Sequence, residues 1–411
     1  MAEWLTRAGT RWPLIQAPMA GSQGAALAVA VAQAGGLGSI PAAMLTPQGL
    51  AEELRRMAGG LGVHGLGTEG SWSQGQGQSQ GPGHRQGQGT EPEGAGGGGA
   101  GGAGLEGEGG GGIGAPQVKG LPVNVNFFCH KMPSAEASAM QAWHAVLAPY
   151  AAEWGIDLST APTGPVRQPF DSAMAEVLEI WRPAVVSFHF GLPEPALLER
   201  VKAWGARILS SATTVAEARW LEAQGVDAVI AQGLEAGGHR GLFLSEDLST
   251  QAGTMALLPQ VARAVSVPVV AAGGVADAAG VRAAFALGAT AVQVGTAFLG
   301  CPEATTTAIH RQALAQAQQE AVDGGGEVAT ALTRLFSGRP ARGLVNRLMR
   351  ELGPLHTAAP PFPLASLALQ PLRQKAEAAG RSDFSPLWCG QHPPRWMDRP
   401  AGEVVAALME P

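Results

Sequence analysis

Only three cysteines, Cys129, Cys301 and Cys389, occur in 411 residues, far apart and without a CxxC pair. That excludes a disulfide framework and a zinc knuckle, and it fits a reducing compartment. Basic residues are few: 27 Lys and Arg against 33 Asp and Glu leave a net charge of -6. With no Lys/Arg stripe there is no footprint for a phosphate backbone, so nucleic acid is not an expected partner. A long apolar run is also missing. The longest early one, "AALAVAVA" from Ala25 to Ala32, is too short to span a bilayer and follows a polar N-terminus. It reads as a core helix, neither signal peptide nor membrane anchor. The chain ends Met409-Glu410-Pro411, without a peroxisomal tripeptide, which leaves the cytoplasm as the default location.

Between about Gly59 and Ala115 the sequence lacks side chains that could bury apolar area. Its Gly/Gln/Ser runs cannot offset the entropy of ordering, so residues 59–115 read as a flexible insertion. Short GxG pieces inside it have no strand before them and no helix after them, and carry no nucleotide signal.

Apolar content is otherwise ample, at 45%. Outside the insertion, β-rich runs recur at 13–20, 37–43, 122–128, 184–190, 207–212, 228–233, 268–274 and 291–298. Ala/Leu/Glu-rich stretches of helical period lie between them, such as "TTVAEARWLEAQG" and "DAAGVRAAFALG". Eight strand–helix units predict an α/β fold, a (β/α)8 TIM barrel, with a doubly wound open sheet as the competing architecture. Residues 1–58 start the barrel and 116–302 complete it. The remainder, 303–411, is expected to be a smaller helical, Pro-rich layer covering the barrel mouth.

In such a barrel chemistry collects where the strands end, because the βα loops converge there on one cavity. Polar residues cluster at those ends: Gln16 to Met19, Asn124 and Asn126, His189, Gln232, Gly273-Gly274 and Gly295-Thr296. His189 stands one residue before a Gly-Leu-Pro turn, so its ring is expected to face the mouth, where an imidazole titrating near neutrality can exchange protons. A satisfied core histidine is the blander alternative. "VVAAGGVAD" and "VQVGTAF" bring bare amides and a threonine hydroxyl to the loops after strands seven and eight, where barrels commonly hold a phosphate. The helix beginning near Asp277 adds a favourable dipole. "AQGLEAGGHRG", 231–241, gives a glycine-rich loop able to fold over a planar ligand, with Gln232 and His239 as its polar groups.

Six short motifs carry a family resemblance: "QAPM" (16–19), "NFFCH" (126–130), "SFHFG" (187–191), "GGHRG" (237–241), "AAGGVAD" (271–277) and "QVGTAF" (293–298). "FSGRPARG" (336–343) and "SPLWCGQ" (385–391) join them. The chain resembles the nitronate monooxygenases, formerly 2-nitropropane dioxygenases, over nearly everything except the insertion. The resemblance implies an FMN-bound barrel that oxidises alkyl nitronates with O2 to a carbonyl compound and nitrite. It makes His189 the base that removes the α-proton of a neutral nitroalkane. It places Ala17, Pro18 and Met19 beside the isoalloxazine, and Asn126 and Gln232 along its polar edge. The amides of Gly237, Gly238, Gly273, Gly274, Gly295 and Thr296 would surround the ribityl phosphate.

His130 and His239 are the candidates for substrate binding, although His130 could equally hold the loop before Pro133. Cys129 and His130 are adjacent on a strand and point to opposite faces, which disfavours a Cys–His nucleophile. A metal held by His130, His189 and His239 is not expected, since no carboxylate or HxxxH pattern supports it. Members of the family often ring the substrate with tyrosines, whereas this chain has one, Tyr150, which leaves a wider or more apolar cavity. The insertion is expected on the N-terminal, non-catalytic side of strand three. Two other functions fit the same glycine-rich barrel: an NAD(P)H-dependent quinone or enoyl reductase, and a catalytically silent FMN-binding protein.

Overall fold

The computed structural model of the chain describes residues 3–63, 120–134, 137–158, 167–323 and 328–410. Most of the expected insertion lies outside these residues. Its start does not: α3 (Pro47–Gly60) runs past 59 and ends on the amide of Leu61, which bonds back to Met57.

A short helix, α1 (Glu3–Arg7), precedes the first strand. Strands β1 (Leu14–Gln16), β2 (Ser39–Pro41), β3 (Leu121–Phe128), β4 (Pro183–His189), β5 (Arg207–Ala212) and β6 (Ala228–Gln232) follow. After a two-residue strand, β7 (Gly238–His239), come β8 (Val269–Ala272) and β9 (Ala291–Val294). All except β7 pair in parallel in the order β1-β9-β8-β6-β5-β4-β3-β2. The ends of this order meet. Ile15 bridges Leu37, with the Leu37 amide donating to Leu14 at 2.8 Å and the Gln16 amide to Leu37 at 2.9 Å. The sheet is therefore a closed barrel, not an open doubly wound sheet.

The strands are short and buried on both faces, as parallel barrel strands are, which is why they read as continuous apolar runs. The outer ring is built from α2 (Ala25–Gln33), α3, α5 (Ser172–Trp181), α6 (Pro195–Ala203), α7 (Val215–Ala223), α8 (Thr254–Ala264) and α9 (Ala278–Ala286). Thr46, Asp171, Thr214 and Asp277 cap four of them, each side chain accepting the amide three residues on. An additional helix, α4 (Ala137–Trp154), stands between β3 and α5.

Inside the barrel, one end is plugged. Trp4, Leu5 and Ala8 pack on Ile15, Leu37, Val185, Leu209, Ile230, Val270 and Ala291 in one apolar cluster. The first turn of the chain thus fills the N-terminal end of the barrel and leaves only the carboxyl ends of the strands for a cavity.

The C-terminal segment differs from a purely helical cover. After α10 (Ala308–Asp323) it forms β10 (Thr330–Thr333) and β11 (Ala341–Leu344), an antiparallel pair that β7 extends through Ala341 opposite His239 and Arg342 opposite Gly238. Then come α11 (Arg347–Leu352), α12 (Ala365–Ala378) and α13 (Ala401–Met409). α12 packs against α4, sharing a core of Trp143, Leu147, Leu369, Leu372 and Phe384. α13 does not cover the mouth: it lies against α2 and α9 and supplies the eighth helix of the ring. Its Ala401, Val404, Val405 and Leu408 are buried in the main core.

Candidate active site

The eleven residues expected around FMN (Ala17, Pro18, Met19, Asn126, Gln232, Gly237, Gly238, Gly273, Gly274, Gly295 and Thr296) all line one cavity at the carboxyl ends of the strands. His189 and His239 line it with them. His130 does not. It is buried beside Phe362, 4.7 Å between ring centroids, and its Nε2 faces the Arg167 carbonyl at 3.2 Å. Tyr150 is buried against Phe384, in the α4–α12 layer.

His189 ends β4, and both of its ring nitrogens are engaged. Nε2 lies 3.1 Å from the His239 carbonyl and Nδ1 lies 3.0 Å from Ser211 Oγ. Burial lowers its pKa to about 4, and the Arg339 and Arg240 charges push in the same direction. The imidazole therefore does not titrate near neutrality, as its type alone suggests; it is held neutral and proton-accepting. His239 is lowered well below its ordinary value by burial, and His130 falls to about 4 for the same main reason. The Cys129 thiol is pushed up by burial, which removes it as a nucleophile.

Gln232 turns its amide to structure. Its Nε2 donates to the His239 carbonyl at 3.0 Å, and its Oε1 accepts the Gly241 amide at 2.7 Å, so both polar ends brace the 232–241 loop. Arg240, fully buried, ties the same loop down by donating to the Gly233 and Gln232 carbonyls at 2.6 and 2.8 Å. Asn126 Nδ2 donates to Ser187 Oγ at 2.9 Å. His239 Nε2 meets Ser337 Oγ at 2.9 Å, which joins the loop to the "FSGRPARG" segment.

At the other side of the cavity the glycine loops meet. Gly273 has φ +103, and a Cβ there would lie 2.9 Å from the Ala236 amide nitrogen. At Gly237 a Cβ would sit 2.6 Å from Gly390 N. The three loops are in backbone contact, and only glycine permits it. The Thr296 hydroxyl oxygen accepts the Gly390 amide at 3.0 Å, which leaves its O–H to donate towards the cavity. The dipole of α9 adds less than its position suggests. Asp277 caps that helix with its own carboxylate, accepting the Gly280 amide at 2.9 Å, and is paired with Arg395 at 2.9 Å. An anion here would rest on loop amides and the Thr296 hydroxyl.

Several lining residues escaped the sequence reading: Ser211, Gln293, Arg167, Trp388, Gly390 and His392. Gln293 sits inside "QVGTAF", and its Oε1 is buried without a hydrogen-bond partner. Trp388 and Gly390 belong to the "SPLWCGQ" strand-like strap, with His392 just after it, pinned where the Gln391 amide donates to the Glu235 carbonyl at 2.9 Å. The motif itself was the signal; its position over the cavity was not readable. Among the described residues no group of three or more His, Cys, Asp or Glu side chains is arranged to hold a metal, and no helix is long and apolar enough to cross a membrane.

The fold and site define a (β/α)8-barrel enzyme with a glycine-lined mouth and a neutral histidine at a strand end. The family model for nitronate monooxygenase matches residues 3–60 and 116–410, so the chain belongs to the nitronate monooxygenase family and is an oxidoreductase. It is 41% identical over 303 residues to a nitronate monooxygenase of Pseudomonas aeruginosa, covering 72% of this chain and 83% of that one. With a nitronate monooxygenase of Paraburkholderia phytofirmans it shares 34% over 402 residues, 96% and 91% of the two chains. The solved nitroalkane oxidase of Streptomyces ansochromogenes superposes with a TM-score of 0.74 at 35% identity, covering 98% of this chain and 96% of that one. FabK of Thermotoga maritima, at 20% identity and a TM-score of 0.59, shares the fold.

Proposed function

We propose that the protein is an FMN-dependent nitronate monooxygenase that converts alkyl nitronates, propionate 3-nitronate among them, with O2 into carbonyl compounds and nitrite, and that also takes neutral nitroalkanes. The observation that carries this reading is the neutral, doubly engaged His189 on the wall of a glycine-lipped cavity.

The residues present fit FMN. The loop amides at Gly273, Gly274 and Gly295 and the Thr296 hydroxyl suit its phosphate, and the partnerless Gln293 Oε1 suits a donor on a polar ring edge. Ala17, Pro18 and Met19 offer an apolar side. When bound, FMN supplies the electron-accepting chemistry. The chain's own part is acid–base and positional. Neutral His189 accepts the α-proton of a nitroalkane, turning two neutral groups into an imidazolium and a nitronate that attract each other in a site of low dielectric. Phe128 and Phe190, whose rings lie 5.7 and 4.6 Å from the His189 ring, keep water from that pair. A preformed nitronate has already lost its proton and needs only to be held.

The test is oxygen uptake and nitrite release by the purified protein given propionate 3-nitronate, beside a sample given NADH alone. Nitrite without NADH is the expected result. Flavin reduction by NADH with no nitrite from the nitronate would overturn the proposal in favour of a reductase.

A further inference from the structure

The His239 carbonyl, which faces His189, belongs to a loop with little stiffness of its own. Four of the nine residues from Gly233 to Gly241 are glycine, which loses more freedom on ordering than any other residue. Arg240, one residue past that carbonyl, closes the loop on its own base. Its Nη1 donates to the Gly233 carbonyl at 2.6 Å and its Nη2 to the Gln232 carbonyl at 2.8 Å. Its backbone amide donates to the Pro340 carbonyl at 2.8 Å, which turns the His239 carbonyl, on the opposite edge of the same peptide, towards His189. A Cβ on Gly241 would lie 2.9 Å from His189 Cε1, so the loop rests directly on the ring.

The guanidinium is anchored in turn from outside the loop. Gln251 Oε1 accepts from its Nε and Nη2 at 3.2 and 3.0 Å. Arginine only donates, so the Gln251 amide nitrogen must point the other way, where it donates to Thr213 Oγ1 at 2.9 Å. The Thr213 hydroxyl donates to Glu217 Oε2 at 2.7 Å. Glu217, 2% exposed, also accepts the Thr213 amide through Oε2 and the Phe243 and Leu244 amides through Oε1. Two buried charges of opposite sign are thus joined through two neutral side chains, and each donor between them has one direction. The network runs from α7, where Glu217 lies, to the His239–Arg240 peptide, behind the residues that line the cavity.

We propose that Arg240 is a positioning residue for the base: through this network it holds the His239 carbonyl against His189 Nε2 and so confines the neutral imidazole to the tautomer with a bare Nδ1. Ser211 cannot make that choice, because a hydroxyl accepts as readily as it donates and suits either state of Nδ1. The carbonyl can, since it only accepts. Its two lone pairs are taken by His189 Nε2 at 3.1 Å and Gln232 Nε2 at 3.0 Å. If it moves off, a buried N–H is left without an acceptor, and the tautomer with its proton on Nδ1, bonded to Ser211, becomes the lower in energy. The lone pair at Nδ1 is then lost. The role of His189 as base rests on the proposed function; its tautomer does not.

The test is nitrogen-15 NMR of the flavin-loaded protein labelled at its nine histidines. Protonated and bare ring nitrogens resonate far apart, and the His189 pair is identified by its absence from His189→Asn. Wild type is expected to show His189 as a single tautomer with the proton on Nε2, and Arg240→Met to show a mixture with Nδ1–H. At equal flavin content, Arg240→Met should lower kcat/KM for a neutral nitroalkane on the order of tenfold or more and leave a preformed nitronate within about twofold. Arg240→Lys, which can still reach one carbonyl, should restore part of the single-tautomer signal. Gln251→Leu cuts the network but keeps both carbonyl contacts of Arg240. It should shift the tautomer in the same direction by less, and it decides the matter if Arg240→Met does not fold. An unchanged Nε2–H signal in the folded variants, Nδ1–H in wild type, or an equal loss on both substrate forms overturns the proposal. A tautomer that shifts in Arg240→Met while wild type releases no nitrite leaves the positioning role standing and removes the proposed reaction.

Discussion

Ser211 Oγ lies 3.0 Å from His189 Nδ1, the imidazole nitrogen that the contact on the opposite side of the ring leaves basic. The other nitrogen, Nε2, faces the His239 carbonyl, which can only accept, so Nε2 carries the proton and Nδ1 the lone pair. A proton taken from substrate carbon arrives at Nδ1, where the serine hydroxyl now donates. Ser211 must then turn aside or relay the proton.

His189→Asn is expected to lower kcat/KM for a neutral nitroalkane by roughly two to four orders of magnitude while leaving preformed nitronate within a few fold. Steady-state nitrite release on the two substrate forms measures it, and an equal loss on both removes His189 from the base role. Ser211→Ala separates turning aside from relay. A change of less than about tenfold means that Nδ1 takes the proton directly, whereas a loss as deep as that of His189→Asn makes the hydroxyl an obligatory carrier.

Because burial and two arginines depress His189 to about 4, its neutral form persists well below the pH at which an ordinary histidine protonates. The acid limb of kcat/KM for a neutral nitroalkane is expected near pH 4. Arg339, whose guanidinium stacks 4.1 Å over the Phe190 ring, contributes part of that depression. Removing a nearby positive charge stabilises the protonated imidazole, so Arg339→Met should move the limb upward. A pH–rate profile that stays in place, or moves down, would contradict this assignment.

Gly273→Ala places a methyl group against the Ala236 backbone at a positive φ, a strain of about 1 to 3 kcal/mol. The loop must shift away from Ala236. We expect a lower melting temperature and, at equal protein concentration, less bound FMN. Full flavin content in a protein of unchanged stability would show that the three loops do not act as one cradle.

Residues 68–117 fall, in the sequence, between the end of α3 and the start of β3. Replacing them with a short Gly/Ser linker should leave flavin content and KM for propionate 3-nitronate unchanged within about twofold. A colourless product would assign the segment a part in the site.

Much of this was legible beforehand because barrel strands are local. "AVVSFHF" announces a buried strand and names its terminal histidine without knowledge of any partner, and the glycine pairs mark turns from composition alone. Closure could be inferred from the strand count, but not the contact that achieves it, Ile15 to Leu37. Other features depend on residues remote in sequence. β10 and β11 are four-residue strands, and β7, the other partner of β11, lies about a hundred positions earlier. Arg167 sits in "APTGPVRQPF", a polar stretch with no period to orient it. The depressed pKa of His189 was likewise out of reach, since it arises from burial and from charges on distant elements.

The placement of α13 bears on the order in which the molecule can be assembled. The groove between α2 and α9 is filled by residues 401–409. As the chain emerges during synthesis, all eight strands are available long before that helix. Until it docks, an apolar seam beside the first and last strands faces solvent and can attract a second unfinished chain. The barrel strands are thus made early, and the wall is sealed late.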